Sequence, residues 1–296
     1  MRRPPAAELA LFAMTAAWGL SFVVVPRALA SAAVMTSVAL RASVGLAFLL
    51  AVKPRALAAT RLEWRAGLLG GLLLAGGYVL QTAGLIEAAS GKSGFLTAFY
   101  ICLVPAFEAL VYRRAPPARD LVALAVATAG IALMVLRADL TMSLGEGLVA
   151  VAAFCWAAHI VVVGRVAARV DPIRLAAVQM LVLAAVGAAG ALGRGDPSPR
   201  WTGRFVAELA FLGIVTNGIG FFVQAWGQRR VPPTRTAILF AGEPVFASIF
   251  GAWLVGETFG IRDVVGAAIV MAAVALTIAS TKNDGPAASG SGSLPA

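Results

Sequence analysis

Short charged or Gly/Pro-containing breaks divide the chain into apolar runs of roughly 20 residues, the length a helix needs to cross the hydrocarbon core of a bilayer. The first five runs are Ala7–Val25, Ala33–Val52, Ala66–Ile86, Ser93–Tyr112 and Leu121–Leu136. The second five are Leu144–Gly164, Ile173–Leu192, Phe205–Trp226, Thr236–Val255 and Ile261–Ser280. A soluble core would be cut into shorter, amphipathic pieces. Only 13% of the residues are charged and 60% are hydrophobic, whereas a soluble domain carries about 25% charged residues. Most of the surface therefore faces lipid, and the sequence predicts an all-α membrane protein of ten transmembrane helices. The breaks leave no room for a soluble domain, and the Gly/Ser/Ala/Pro-rich tail 282–296 is expected to be disordered. Arg2-Arg3 and Ala30-Ser31-Ala32 imitate a secretory leader, but the first apolar run exceeds the 7–15 residues of a leader core and is read as a retained helix.

A formal charge of +10 and a pI near 10.9 raise the question of nucleic acid. The Lys and Arg residues do not gather on one domain; they sit in small groups between the apolar runs, the pattern of membrane edges. Nucleic acid is excluded as a partner and the lipid bilayer takes its place. With the N-terminus inside, sixteen of the 24 fall in inner segments and seven in outer ones, with Arg41 left inside the second run. That bias predicts both termini in the cytoplasm.

The chain also repeats itself. An offset of 143 residues superposes Gln81 on Gln224, Gly84 on Gly227, Lys92 on Arg235 and Arg119-Asp120 on Arg262-Asp263. For the earlier helices an offset of 138 places Trp18 on Trp156, Arg27 on Arg165 and Arg41 on Gln179. The expected units are residues 7–137 and 144–280, five helices each. An odd number makes the second unit enter the membrane from the opposite side, and such inverted repeats characterise secondary transporters, whose halves exchange inward- and outward-open arrangements around a central cavity.

Ala17-Trp18-Gly19-Leu20-Ser21-Phe22 resembles the opening of the EamA-like branch of the drug/metabolite transporter superfamily. Gly145-Glu146 with Trp156 resembles the start of that family's second repeat, and Glu243-Pro244-Val245-Phe246-Ala247 with Gly256-Glu257 its ninth helix. Gly94-Phe95-Leu96-Thr97-Ala98-Phe99-Tyr100 is similar to its fourth. The resemblance implies a carrier of amino acids, other metabolites or drugs, commonly outward, in a bacterial inner membrane, and includes an amino-acid exporter branch. Two departures are Arg113-Arg114 where the second half has Gly256-Glu257, and Glu108 inside the fourth helix.

A charge at the bilayer centre costs about 2.5–3.5 kcal/mol on insertion scales, so intramembrane polar residues face the bundle interior. Glu243 precedes Pro244, which leaves the carbonyl of Phe240 without its usual donor. The pair either binds a substrate amine or a proton, or only shapes the helix. Tyr100 is its counterpart in helix 4. His159, the one histidine, lies a turn after Trp156 and is either a proton-coupling group or an ordinary hydrogen-bonded side chain. Trp18 and Trp156 line a cavity or pack the repeat interface. Asn217, Phe221, Gln224 and Gln228 share one face of helix 8, and Tyr78 and Gln81 one face of helix 3. Arg41 and Gln179 bind a carboxylate, or else satisfy backbone carbonyls or snorkel.

The expected substrate cavity therefore holds Trp18, Tyr78, Gln81, Tyr100, Trp156, His159, Asn217, Gln224 and Glu243. Its cargo is a small molecule, with amino acids preferred and other metabolites or drugs as the alternative, carried by a monomer. No catalytic set such as HExxH is present, so an enzyme is not expected, and Cys102 and Cys155 lack the spacing of a metal or redox site. No cofactor is expected. A channel would need oligomeric pore symmetry, which an internal repeat makes unnecessary.

Overall fold

The computed structural model describes residues 6–87, 93, 96–135, 143–258 and 260–283, and every regular element in them is helical. Most of the expected tail, and Gly94, Phe95 and Leu136 of the expected helices, lie outside the described residues. The helices are α1 (Ala6–Leu29), α2 (Val34–Val52), α3 (Arg61–Gly84), α4 (Leu96–Tyr112), α5 (Ala118–Val135), α6 (Leu144–Val166), α7 (Pro172–Arg194), α8 (Gly203–Gly227), α9 (Pro233–Val255) and α10 (Ile261–Asn283). Among the described residues eight helices are long and apolar enough to cross a membrane, and α4 is a shorter apolar one. Large apolar side chains such as Leu110, Leu144, Leu192, Trp253 and Ile261 are exposed on the outside of the bundle, where lipid rather than water is the fitting solvent.

Local chemistry sets the ends. Thr60 and Glu63 form a capping box on α3, and Ser143 and Glu146 repeat it on α6. Asp171 caps α7 by accepting from the N–H groups of Ile173 and Arg174, and its other oxygen accepts from Lys53 at 2.7 Å. Partial burial pushes the Asp171 carboxyl up, but the Lys53 contact and the N–H donors outweigh it and hold the group below the usual carboxylate range.

The helix pairings repeat when the halves are exchanged. α3 packs on α6 as α1 does on α8, α3 on α7 as α2 does on α8, and α1 on α9 as α4 does on α6. Three pairs map onto themselves: α2 with α7, α4 with α9 and α5 with α10. Each of these is antiparallel. Thr36 meets Asp196 while Lys53 meets Asp171; Tyr100 meets Glu243 while Glu108 meets Thr234; Gly130 faces Val270 while Met134 faces Gly266. Only a twofold axis running across the helices makes every self-paired contact antiparallel. Side-chain contacts obey it too. Arg27 donates to the carbonyl of Leu254, and its counterpart Arg165 donates to the carbonyl of Val111, each helping to close one end of the bundle.

The departure at Arg113 has a backbone explanation. Arg113 ends α4 with φ 54° and Gly256 ends α9 with φ 79°, so both occupy the same left-handed C-cap. Glycine takes that conformation freely, while arginine does so against its Cβ.

Close packing of α5 on α10 depends on Gly130 and Gly266. A Cβ on Gly266 would lie 2.5 Å from the carbonyl oxygen of Gly130, and one on Gly130 would lie 2.8 Å from that of Gly266. Because backbone cannot move aside cheaply, Gly130→Val or Gly266→Val should lower stability by about 1–3 kcal/mol. Gly147→Ala, where a Cβ meets nothing within 4 Å, should not. Thermal unfolding of the purified protein in detergent measures the difference.

Candidate functional site

Three departures from regular helix surround the bundle centre. α4 turns at Phe99, and α9 turns at Ala241 between its segments Pro233–Phe240 and Gly242–Val255. Pro244 supplies the cause in α9, since it cannot donate back to Phe240. α8 widens into a π-helical stretch over Phe211–Ile219, where Gly213 and Gly218 lie against Val44 and Phe48 of α2. In lipid such backbone is tolerated only inside protein or beside a cavity.

A cavity of about 670 Å³, counted out to its mouth, lies among these breaks. α1 contributes Trp18, Ser21, Phe22 and Val25, and α3 contributes Tyr78, Gln81 and Thr82. Tyr100 and Glu243 stand directly after the breaks of α4 and α9 and meet across the pseudo-axis, where Tyr100 Oη donates to Glu243 Oε2 at 3.4 Å. Trp156, His159 and Gln224 complete the floor, and the ring of Phe221 stands edge-on to His159 with centroids 5.5 Å apart.

Glycine lets the two tryptophans in. Trp156 lies over Gly77 of α3 and Trp18 over its counterpart Gly220 of α8, with the ring atoms about 3 Å from where a Cβ would stand. Their indole N–H groups differ. Trp18 Nε1 donates to the carbonyl of Thr216 at 3.0 Å, in the π-helical stretch, while Trp156 Nε1 has no partner among the described residues. His159 Nε2 is likewise without one, its Nδ1 lying 3.4 Å from Gln224 Nε2.

Eight of the nine residues singled out from sequence line this space, and Asn217 does not. Asn217 is fully buried one layer back, where its Oδ1 accepts from Tyr78 Oη at 2.7 Å. The π-helical turn puts Thr216 on the cavity in its place. Arg41 also lines the cavity, having been left open in the sequence between a carboxylate site and backbone satisfaction. It donates to Thr82 Oγ1 and lies 4.3 Å from the centre of the Tyr78 ring. Gln179, its counterpart, is buried outside the cavity. Thr82 carried no sequence signal, being a small hydroxyl residue of a kind common in helix packing, and Thr97 stood out only as a member of the run from Gly94 to Tyr100. Among the described residues no group of three His, Cys, Asp or Glu could hold a metal ion.

The cavity runs from mid-depth toward the end where α1 and α3 terminate. Polar contacts cross the opposite end. Gln224 donates to Gln228, and Gln228 to the carbonyl of Ile160. Below them Arg235 of α9 pairs with Asp120 of α5 at 3.2 Å, both side chains about 7% exposed or less. Glu108, the unexpected acid of α4, accepts from the backbone and hydroxyl of Thr234. It caps the first turn of α9 from a neighbouring helix.

A helical membrane protein with two structurally repeated halves, and between them a largely aromatic cavity holding a few polar side chains, has the architecture of a transporter. The chain belongs to the EamA-like transporter family, whose model matches residues 5–136 and again 143–279. A crystal structure of a protein 19% identical in sequence superposes with a TM-score of 0.77, covering 95% of this chain and 99% of that one, and shows the same fold. No curated protein matches the chain.

The Asp120–Arg235 pair yields a stability prediction. Among the described residues, removing Arg235 leaves the buried Asp120 carboxylate only the long contact from the half-exposed Arg119, 3.8 Å away. Arg235→Met should therefore cost about 1–3 kcal/mol, less than breaking an isolated buried pair. The double variant Asp120→Leu/Arg235→Met should recover most of that loss. Melting temperatures of the three proteins in one detergent test the coupling.

Proposed function

We propose that the protein is a secondary transporter that moves amino acids or similar small amphipathic metabolites outward by alternating access. The observation that carries this reading is the cavity on the pseudo-twofold axis, flanked by broken helices and blocked at one end. Two halves related by such an axis can reach a mirror arrangement, open at the other end, by rocking against each other. In this reading α4 and α5 complete the first set of five spanning helices, for ten in all, and one chain holds a whole pathway.

The positive-inside bias favours the cytoplasmic side for the blocked end and both termini, and the family resemblance favours a bacterial inner membrane. The structure then corresponds to an outward-facing arrangement whose inner gate is the Gln224–Gln228–Ile160 and Asp120–Arg235 layer. The aromatic walls suit an apolar side chain, and Gln81, Gln224, His159 and Glu243 offer polar contacts. Export of drugs or other metabolites is the second reading, favoured by the number of aromatic rings around one acid.

Reconstitution in liposomes with labelled amino acids, bases and cationic drugs tests this. Saturable, trans-stimulated uptake of one class is expected; ohmic single-channel currents would defeat the carrier reading. The gate has its own check, in protein lacking Cys102 and Cys155. A Gln228→Cys side chain should resist a membrane-impermeant thiol reagent applied from the cytoplasmic face, and adding Asp120→Asn should raise its reaction rate at least tenfold.

A further inference from the structure

Arg41 and Glu243 are the two ionisable side chains of opposite sign that border the cavity, and they do not pair with each other. Arg41 is 3% exposed and Glu243 9% exposed. Among the described residues the guanidinium makes one hydrogen bond, to Thr82, out of the five its N–H groups allow, and Nε has no partner. Among the described residues no carboxylate lies within ion-pair distance of it. The Tyr78 ring beneath it supplies only a weak cation–π contact. Among the described residues Glu243 in turn meets no cation, and its one hydrogen bond is the long one from Tyr100.

Burying a charged group without a partner is costly, and structural ion pairs in a membrane interior close on each other. These two stand on α2 and α9 and form no such pair with each other. Their counterparts in the other repeat are neutral: Gln179 for Arg41 and Tyr100 for Glu243. The ionisable groups therefore break the twofold symmetry that the helices keep, and the cavity carries one basic and one acidic side chain.

From this geometry we infer that the cavity recognises a zwitterion by both of its charged groups, with the solute's carboxylate on Arg41 and Thr82 and its ammonium on Glu243 and Tyr100. The inference rests on the carrier reading above and narrows its cargo to α-amino acids and closely related amino-carboxylates, with the aromatic walls taking the side chain. A cation lacking an anionic group would leave Arg41 unmatched, so amine drugs are disfavoured. Arg41 becomes a specificity-determining residue, and its planar fork matches a carboxylate in a way lysine cannot.

The test uses the full chain in liposomes, preloaded with a mixture of neutral amino acids and assayed by uptake of labelled phenylalanine. Competitors are unlabelled phenylalanine, phenethylamine, which lacks the carboxylate, and phenylpropionate, which lacks the amine. Wild-type protein should be inhibited by phenylalanine at concentrations at least tenfold below either analogue, a result that needs no variant to fold. In Arg41→Gln the advantage of phenylalanine over phenethylamine should vanish, and in Glu243→Gln its advantage over phenylpropionate should vanish. Arg41→Lys should keep a reduced preference.

Equal inhibition by all three compounds in wild-type protein would overturn the inference. So would variants that transport and rank the competitors as wild type does. Saturable transport of cationic drugs with none of amino acids would overturn it while leaving the carrier reading intact. Absence of saturable transport for every solute would defeat both.

Discussion

In a bilayer no water reaches the backbone, so every N–H and C=O in the hydrocarbon region needs a partner within the protein. Long, uninterrupted helices are the direct answer, and most of this bundle consists of them. The constraint also makes exceptions informative. α4 turns at Phe99, α8 widens between Phe211 and Ile219, and α9 turns at Ala241. All three border one cavity. The carbonyl of Thr216 in the widened turn is taken up by Trp18 Nε1, a partner no regular helix would have required.

The same constraint governs how the halves meet. Because the helices are already satisfied internally, they associate through close packing and a few polar contacts. Small residues carry the packing. Gly130 and Gly266 bring α5 to α10, Gly84 and Gly145 bring α3 to α6, and Gly77 and Gly220 admit the two tryptophans. Polar contacts close the ends, where Arg27 on Leu254 and Arg165 on Val111 form one motif used twice. The symmetry is broken inside the cavity. Arg41, His159 and Glu243 stand where the other repeat has Gln179, Ser21 and Tyr100, and the Asp120–Arg235 pair crosses one end.

Much of this was legible in the chain. Apolar run lengths marked the helices within a few residues, since lipid thickness leaves little freedom. The Trp18/Trp156 and Arg27/Arg165 correspondences exposed the repeat, because aromatic and charged matches stand out against an Ala- and Leu-rich background. The Glu243-Pro244 step announced the break in α9. Less visible was the π-helical stretch of α8: a fixed spacing of 3.6 residues placed Asn217 on the face of Phe221 and Gln224, and the wider turn moved it behind Tyr78. Glu108 read as an anomaly for a similar reason, since its partner Thr234 lies on another helix.

Sequence alone determined that the chain crosses a membrane many times, in two related halves, with few ionisable groups inside. Those are consequences of solvent and period, which act on each segment separately. Which polar residues share a cavity was decided by the tertiary structure. Arg41, ambiguous as one arginine in an apolar run, joined the lining of the cavity only when packing brought α2, α3 and α9 around the same space. Depth and facing depend on how helices rotate against each other, and that is settled by packing between segments far apart in the chain.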